Sequence, residues 1–211
     1  MSPFDAVLCD FDGVLRVHDA RVQAGLDHGY GLAPGAVLRT ALSPALIGPA
    51  VLGEITFEEW EAALVTEFTG LLGSPERAAR LVGEFMAVPA RVDERVRDLL
   101  ALAQRHVPVV LVTNATTRLE EELDGLGLTW FADEVVSSAR VGVAKPDRRI
   151  YELAATRAGA APERCLFIDD RRENVEAATL LGMTGVLFRE AEDLRHAWTE
   201  AGWERPLTPE A

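Results

Sequence analysis

Four groups of polar residues in the sequence carry side chains that can attack, coordinate or transfer protons. Three of the groups directly follow short apolar segments, and the remaining one precedes a helical pattern. Carboxylates act as nucleophiles and as ligands of hard cations, hydroxyl and amide groups bind anionic oxygens, and an ammonium offsets negative charge. The groups are Asp10-Phe11-Asp12-Gly13-Val14, Thr113-Asn114, Lys145-Pro146, and Asp169-Asp170 followed four residues later by Asn174.

Each group by itself has an ordinary structural explanation. Asp-X-Asp-Gly is a frequent turn sequence, Thr113 can begin a helix, and Asp169 can cap one. Their joint occurrence is more informative, because the carboxyl ends of parallel strands all face one edge of a sheet, where these side chains can meet. Carboxylates that meet without a cation repel one another, so the cluster predicts a bound metal ion.

Lys145 is the only lysine in a chain with 21 basic residues, the others being arginines. A sequence with so strong a bias towards arginine keeps a lysine where a compact ammonium is needed and a planar guanidinium does not serve. Because Lys145 also lies in one of the four polar groups, we interpret it as a functional ammonium.

The elements that position these groups follow from the apolar patterning. Continuous apolar runs rich in valine and leucine are typical of parallel strands that are buried on both faces. Helical patterns lie between them, and Thr117 with Glu120 three residues later predicts a capping box at the start of one helix. The alternation predicts an α/β fold with a doubly wound, mostly parallel, Rossmann-like sheet. The predicted strands are 6–9, 107–112, 134–136, 165–168 and 185–188, and the predicted helices are 92–105, 117–127, 147–158 and 173–181.

An insert of residues 16–91 separates the first predicted strand from the next repeat, and it shows helical patterns without a convincing strand. Thr56 with Glu59, and Ser74 with Pro75, mark two helix starts among about four expected helices. We therefore predict a core domain of 1–15 and 92–211 and an all-helical cap domain of 16–91. The cap is expected above the carboxyl ends of the strands, where ligands bind in such sheets. The tail after Trp203, with two prolines, is expected to be loosely ordered.

Composition excludes several classes of partner. The net charge of −13 disfavours nucleic acid and anionic membranes, since binding to either needs basic surface. No apolar run is long enough to span a membrane, and the N-terminus lacks the pattern of a secretory signal, so we expect a cytoplasmic location. Cys9 and Cys165 are expected to be core residues that point to opposite faces of the sheet and form no disulfide.

Taken in order, the four groups resemble the motifs of the haloacid dehalogenase superfamily. They read "LCDFDGVL", "VLVTNAT", "VGVAKPD" and "LFIDDRRENVEAA", and the resemblance covers most of the chain from 7 to 188. The fourth motif is similar to that of the phosphatase-type subgroup with a helical cap after the first strand. The resemblance implies Mg²⁺-dependent hydrolysis of a small phosphate monoester through an aspartyl-phosphate intermediate.

The resemblance also implies roles for individual residues. Asp10 would be the nucleophile and Asp12 the general acid and base, with Thr113 and Lys145 as further catalytic residues. The substrate phosphate would be bound by Gly13, Thr113, Asn114 and Lys145. The Mg²⁺ ion would be held by the Asp10 side chain, the Asp12 backbone carbonyl, Asp169 and Asp170, with Asn174 holding a water or a ligand nearby.

Other functions stay open at this point. A phosphosugar mutase uses the same motifs and differs in whether the insert excludes water between two phosphoryl transfers. A dehalogenase that attacks carbon is disfavoured by Asp12 and by the pair Asp169-Asp170, which that group lacks. A phospho-accepting or non-catalytic binding module would show no cycle of turnover. The expected partner is a small phosphorylated metabolite, without nucleic acid or membrane, and the sequence carries no signal for an oligomeric state.

Four residues near the predicted site receive ordinary structural interpretations. Arg16 and His18 are interpreted as surface residues at the mouth of the insert. Phe57 and Trp60, which are spaced as on one face of a helix, are interpreted as part of the core of the insert.

Overall fold

The computed structural model describes residues 3–200. Its main sheet has five parallel strands in the order β5-β4-β1-β6-β7, and two further strands form a separate antiparallel ribbon. The strands of this part of the chain are β1 (Ala6–Cys9), β2 (Arg16–His18), β3 (Ala90–Val92), β4 (Val109–Thr113), β5 (Glu134–Ser137), β6 (Cys165–Asp169) and β7 (Thr184–Leu187). The prediction of a doubly wound, mostly parallel α/β sheet is confirmed.

Helices follow the strands and cover both faces of the main sheet. Five of them lie between β2 and β3: α1 (Ala20–Tyr30), α2 (Ala36–Ala41), α3 (Pro44–Val51), α4 (Phe57–Leu72) and α5 (Pro75–Met86). The others are α6 (Glu94–Ala103), α7 (Leu119–Gly125), α8 (Ser138–Val141), α9 (Arg148–Arg157), α10 (Arg172–Thr179) and α11 (Ala191–Glu200). Within the described residues, no helix is both long and apolar enough to cross a membrane.

The two faces of the sheet carry separate apolar clusters. Alternate residues of β1 point to opposite faces, so Val7 and Cys9 belong to one cluster while Ala6 and Leu8 belong to the other. Cys165 lies with the second cluster, on the face opposite to Cys9, and both thiols are free. The expectation that these two cysteines point to opposite faces and form no disulfide is therefore confirmed.

The insert packs around an apolar cluster of its own, which includes Leu64 and Phe68 of α4 and Leu81 of α5. It contains five helices instead of the four expected, and the two chain segments that enter and leave it pair as β2 and β3. These strands have three residues each, too few to show an alternating pattern in the sequence. The expectation that residues 16–91 hold no strand was therefore wrong, while the domain boundaries remain a prediction.

Helix starts were predicted with mixed success. Thr56 forms the expected capping box with Glu59, and the Ser74 hydroxyl accepts the Arg77 N–H. The predicted box at Thr117 does not form, because α7 begins at Leu119 and the Thr117 hydroxyl instead accepts the Phe57 N–H at 3.0 Å. The tail after Trp203 lies outside the described residues.

Candidate active site

The carboxyl ends of β1 and β6 bring three carboxylates together. Cys9 lies opposite Ile168 in the sheet, so Asp10 and Asp169 are level at the same edge. Oxygen atoms of Asp10, Asp169 and Asp170 all lie within 4.8 Å of one another. The side chains of residues 10 and 169 are therefore close enough to share a cation, as the parallel register requires.

Lys145 lies between two of these carboxylates. Its Nζ is 2.8 Å from Asp10 Oδ1 and 2.7 Å from Asp169 Oδ2, and its side chain is only 1% exposed. Burial lowers the pKa of the Lys145 ammonium, but the two carboxylates more than offset this effect and raise its pKa above the ordinary value. The ammonium thus stays charged. We call Asp10, Lys145, Asp169 and Asp170 the strand-end cluster.

The strand-end cluster carries more negative than positive charge. Burial raises the pKa of Asp10 from 3.8 to about 7; Lys145 and the Phe11 N–H at 2.7 Å lower it, while Asp169 raises it further. The pKa of Asp170 is also raised, mainly by burial and secondarily by the charge of Asp169. One ammonium therefore does not balance three carboxylates, and the pocket favours additional positive charge.

Asp169 is held in place by several donors. Its Oδ1 accepts the Arg171 N–H at 2.8 Å, and Asn174 Nδ2 lies 2.9 and 3.0 Å from its two oxygens. Tyr151 in turn donates its hydroxyl to the Asn174 carbonyl at 3.1 Å. Asn174 is buried and lies beside the cluster, where the sequence predicted it, and its visible role is to orient Asp169.

Gly13 gives Asp170 the room to approach. Its φ is +83°, and a Cβ atom at this position would clash with the Asp170 carboxylate. The Gly13 N–H is already used, because it donates to the Arg16 carbonyl at 2.9 Å. Gly13 therefore contributes space at the site, and its place among the phosphate-binding residues remains a prediction.

Thr113 and Asn114 follow one another at the end of β4 but face different groups. The Thr113 hydroxyl is buried, lines the cavity and has no hydrogen-bond partner among the described residues. The Asn114 side chain accepts the Lys145 N–H at 2.7 Å and donates to the Lys145 carbonyl at 2.9 Å. Thr113 is thus free to donate to a ligand, whereas the Asn114 side-chain amide holds the Lys145 backbone.

Asp12 is paired with an arginine that sequence interpretation placed on the surface. Arg16 donates to both oxygens of Asp12, at 2.6 and 2.7 Å, and to Glu122 at 2.7 Å. Its guanidinium lies 4.5 Å from the centre of the Phe11 ring, and the residue is 9% exposed. The surface interpretation of Arg16 was therefore wrong. The DFDGVLR spacing could have suggested the pair, since Arg16 lies four positions after Asp12.

A cavity of about 670 Å³ lies between the strand-end cluster and the insert. Every side chain that residues 36–90 contribute to it is apolar, and we call this set the apolar roof; the start of the insert adds the polar residues Arg16, His18 and Gln23. Trp60 belongs both to the roof and to the core of the insert, and its Nε1 has no partner among the described residues. The roof includes Leu38, Leu42, Ile47, Val51, Trp60 and Met86.

The donor set fits a hard divalent cation. Asp10, Asp169 and Asp170 offer carboxylate oxygens only, which is the chemistry that Mg²⁺ prefers. The Asp12 carboxylate is not part of this group and is paired with Arg16. The predicted Mg²⁺ ligand from Asp12 is its backbone carbonyl oxygen and not its carboxylate. That role of the carbonyl remains a prediction.

Comparison with known proteins identifies a family and two relatives. Residues 4–182 match the family model of haloacid dehalogenase-like hydrolases. A phosphoserine phosphatase of Thermus thermophilus is 32% identical over 144 residues, which cover 66% of this chain and 53% of the relative. This chain therefore spans about half the length of that relative. A protein named Phosphatase MT3486, from Mycobacterium tuberculosis, is 29% identical over 188 residues, covering 86% of each chain.

A solved structure supports the fold. A haloacid dehalogenase family enzyme of Bacteroides thetaiotaomicron, in a magnesium complex, superimposes with a TM-score of 0.70 at 19% identity. The superposition covers 93% of this chain and 98% of the other. The similarity at this level of identity concerns the course of the backbone, insert included.

Proposed function

This chain belongs to the haloacid dehalogenase-like hydrolases, and on that premise we propose that it hydrolyses a small phosphate monoester, with Asp10 as nucleophile and Asp12 as general acid and base. One observation carries the proposal: three carboxylates and a buried ammonium lie within reach of one another, and Asp10, Lys145 and Asp170 of this set line a cavity. The two relatives named as phosphatases support the same reaction class.

Mg²⁺ is the proposed cofactor. Asp10, Asp169 and Asp170 would hold it, together with the Asp12 backbone carbonyl. When bound, a divalent cation offsets the repulsion between carboxylates and a phosphate dianion. Magnesium is present in the complex of the Bacteroides enzyme, which has the same fold.

The residues of the chain then divide the chemistry between them. A carboxylate oxygen of Asp10 attacks phosphorus and forms the aspartyl-phosphate while the bond from phosphorus to the alcohol oxygen breaks. Asp12 gives a proton to the leaving alcohol, then takes a proton from the water that attacks the phosphorus and releases Asp10. Lys145 offsets negative charge at Asp10, and the unpartnered Thr113 hydroxyl donates to a phosphate oxygen.

The hydrogen bonds from Arg16 affect the proton transfers proposed for Asp12. Each Asp12 oxygen accepts one hydrogen bond from Arg16, and a carboxylate oxygen has a second lone pair that can accept a proton from water. Proton donation by Asp12 requires a neutral carboxyl, and a proton carried on the second lone pair of one oxygen leaves both hydrogen bonds from Arg16 in place.

Residues 16–91 are proposed to act as a cap over the cavity. The paired strands β2 and β3 are the two connections between the insert and the sheet. A cap that opens and closes would admit the substrate and exclude bulk water from the aspartyl-phosphate. A cavity beneath such a cap favours small metabolites over phosphorylated macromolecules.

A phosphatase screen tests the proposal. Phosphorylated sugars, nucleotides, organic acids and simple alkyl esters are incubated with the protein in Mg²⁺ and in chelator, and release of phosphate is measured. We expect turnover in Mg²⁺ only, and Asp10→Asn should lose at least about 1000-fold in kcat because no nucleophile remains. Asp98→Asn changes an exposed aspartate outside the cavity and serves as the matched control.

The outcomes separate the alternatives. Equal turnover in chelator, or full activity of Asp10→Asn, would refute the proposed mechanism. A mutase would instead move a phosphoryl group within a sugar phosphate without net release of phosphate, and a binding module would give no multiple turnover with any ester.

A further inference from the structure

The two sides of the cavity differ in chemistry. Its floor holds the carboxylates, Lys145 and the free Thr113 hydroxyl, all suited to a phosphate and its counter-charges. Its roof is apolar throughout and comes from four helices of the insert with the segments that follow them, α2, α3, α4 and α5. A ligand that fills the cavity therefore meets charged groups at one end and hydrocarbon at the other.

Packing of the insert alone does not account for the roof. Phe57 and Trp60 are members of the core cluster of the insert, so their apolar character has a structural reason. Leu38, Leu42 and Val51 line the cavity without belonging to that cluster or packing against it. Leu42 is 53% exposed. Apolar surface left in contact with water is unfavourable unless something covers it.

Direct contact between the apolar roof and the charged residues on the opposite side of the cavity would be unfavourable. A cap that closed directly onto the floor would place apolar side chains against Asp12, Arg16 and Glu122, which would lose water without gaining partners. The volume of about 670 Å³ lies within the usual range for small-molecule sites, about 300–1,000 Å³. A substrate with an apolar body satisfies both sides at once.

A polyhydroxylated body would be poorly served by the roof. Each hydroxyl that leaves water needs a hydrogen-bond partner, and the roof offers one candidate donor, the unpartnered Trp60 Nε1. Sites that recognise sugars by their hydroxyls carry several placed polar groups around the sugar. The insert contributes its polar lining residues, Arg16, His18 and Gln23, from outside the roof, so a body that lies under the roof meets hydrocarbon.

We infer that the substrate is a phosphate monoester of a largely hydrocarbon alcohol, whose apolar body lies under the roof while its phosphate lies on the strand-end cluster. This inference rests on the proposed phosphatase function and narrows it to a substrate class. The group transferred and the bonds broken are those already described for Asp10 and Asp12.

A matched series of esters tests the inference. Methyl, butyl and hexyl phosphate and glucose 6-phosphate are all phosphates of primary alcohols, and kcat/KM is measured for each in Mg²⁺. We expect kcat/KM to rise by about three- to fourfold for each buried methylene, and at least about tenfold from methyl to hexyl phosphate. Glucose 6-phosphate should be at least about tenfold poorer than hexyl phosphate. A flat series, or preference for the sugar phosphate, would overturn the inference.

Two leucines provide a matched pair of variants. Leu42 and Leu71 are both 53% exposed residues of the insert, but only Leu42 lines the cavity. Leu42→Asn should lower kcat/KM for hexyl phosphate by about fivefold and leave methyl phosphate within about twofold, since only the longer chain reaches the roof. Leu71→Asn should resemble wild type with both esters. Equal effects of the two variants would contradict a role of the roof in binding.

Binding of alkyl phosphonates separates failure of the inference from failure of the proposed function. Methyl- and hexylphosphonate cannot be hydrolysed, and their affinities in Mg²⁺ are measured by calorimetry. Tighter binding of hexylphosphonate without hydrolysis of any ester would support the apolar subsite and refute the phosphatase. Hydrolysis of esters together with equal affinities would support the phosphatase and refute the apolar subsite.

Discussion

Lys145 places an ammonium 2.8 Å from Asp10 and 2.7 Å from Asp169, in a position where the side chain is 1% exposed. Asn114 holds the Lys145 backbone on both its N–H and its carbonyl. The charge is thereby fixed in space before a substrate arrives, and electrostatic stabilisation by such fixed charges needs no rearrangement during the reaction.

We predict that Lys145→Arg lowers kcat by about 100-fold although it preserves the charge. A planar guanidinium is larger than an ammonium and does not fit between two carboxylates that are already in contact with Nζ, so Asp10 would be displaced. Steady-state kinetics and circular dichroism measure turnover and folding together. Arg148→Lys exchanges the same two residue types in the opposite direction at a side chain that is 69% exposed, and it serves as the control. Wild-type kcat in folded Lys145→Arg would show that charge alone is sufficient.

Residue types and spacing predicted which carboxylates meet, but not every partner. Asp10 and Asp169 could be predicted because register in a parallel sheet fixes their level. The contact of Arg16 with Glu122 could not, since Glu122 lies 106 residues away and is positioned only by the packing of α7. The same holds for Asn114, whose side chain turns to Lys145 because that loop passes beside it.

Two identical signals for a helix start had different outcomes. Thr56 with Glu59 and Thr117 with Glu120 both have the spacing of a capping box, and only the first forms one. The Thr117 hydroxyl is taken by the N–H of Phe57, the first residue of α4 in the insert. Arg118 lies over the ring of Phe57 at 4.7 Å, so a contact between insert and sheet displaces the local capping interaction.

This contact leads to a prediction for Thr117→Val. Valine has nearly the same shape as threonine but accepts no hydrogen bond, so the Phe57 N–H loses its partner and the contact between α4 and the segment after β4 is weakened. We expect KM to rise about threefold to tenfold with kcat changed less than about twofold, corresponding to one lost hydrogen bond of about 1 kcal/mol. Thr66→Val, on an exposed face of α4, is the control. An unchanged KM would show that this contact does not help to hold the insert over the cavity.

For the whole molecule, the sequence predicted the sheet and the insert more completely than the cavity between them. Apolar runs and helix starts are local properties, and they predicted all five strands of the main sheet and an insert after β1. The cavity arises where α2 to α5 face the strand ends, and its apolar roof depends on which side of each helix faces inward. That choice is settled by packing of the insert around Phe68 and its neighbours.

The net charge of the strand-end cluster links stability of the whole molecule to pH and metal. Burial raises the pKa of Asp10 from 3.8 to about 7, so between about pH 4 and 7 the folded protein binds more protons than the unfolded chain. By linkage, this residue makes the unfolding free energy fall as pH rises through that window. The ionised Asp10 carboxylate is also repelled by the charge of Asp169. A divalent cation bound between these carboxylates offsets that repulsion and should restore stability above pH 7.

We predict that Asp10→Asn, compared with wild type in chelator, gains about 1–4 kcal/mol of unfolding free energy at pH 8 and much less at pH 4, since each pKa unit corresponds to about 1.4 kcal/mol. Mg²⁺ at pH 8 should stabilise wild type more than Asp10→Asn, because the variant offers one carboxylate fewer. Urea unfolding at both pH values, with and without Mg²⁺, measures the differences, and the comparison between variants cancels the titration of the other groups. Both expected differences come from the Asp10 carboxylate. If the unfolding free energies of wild type and variant changed in parallel with pH, the pKa of Asp10 would not be raised by burial. If Mg²⁺ stabilised both proteins equally, Asp10 would not be a ligand.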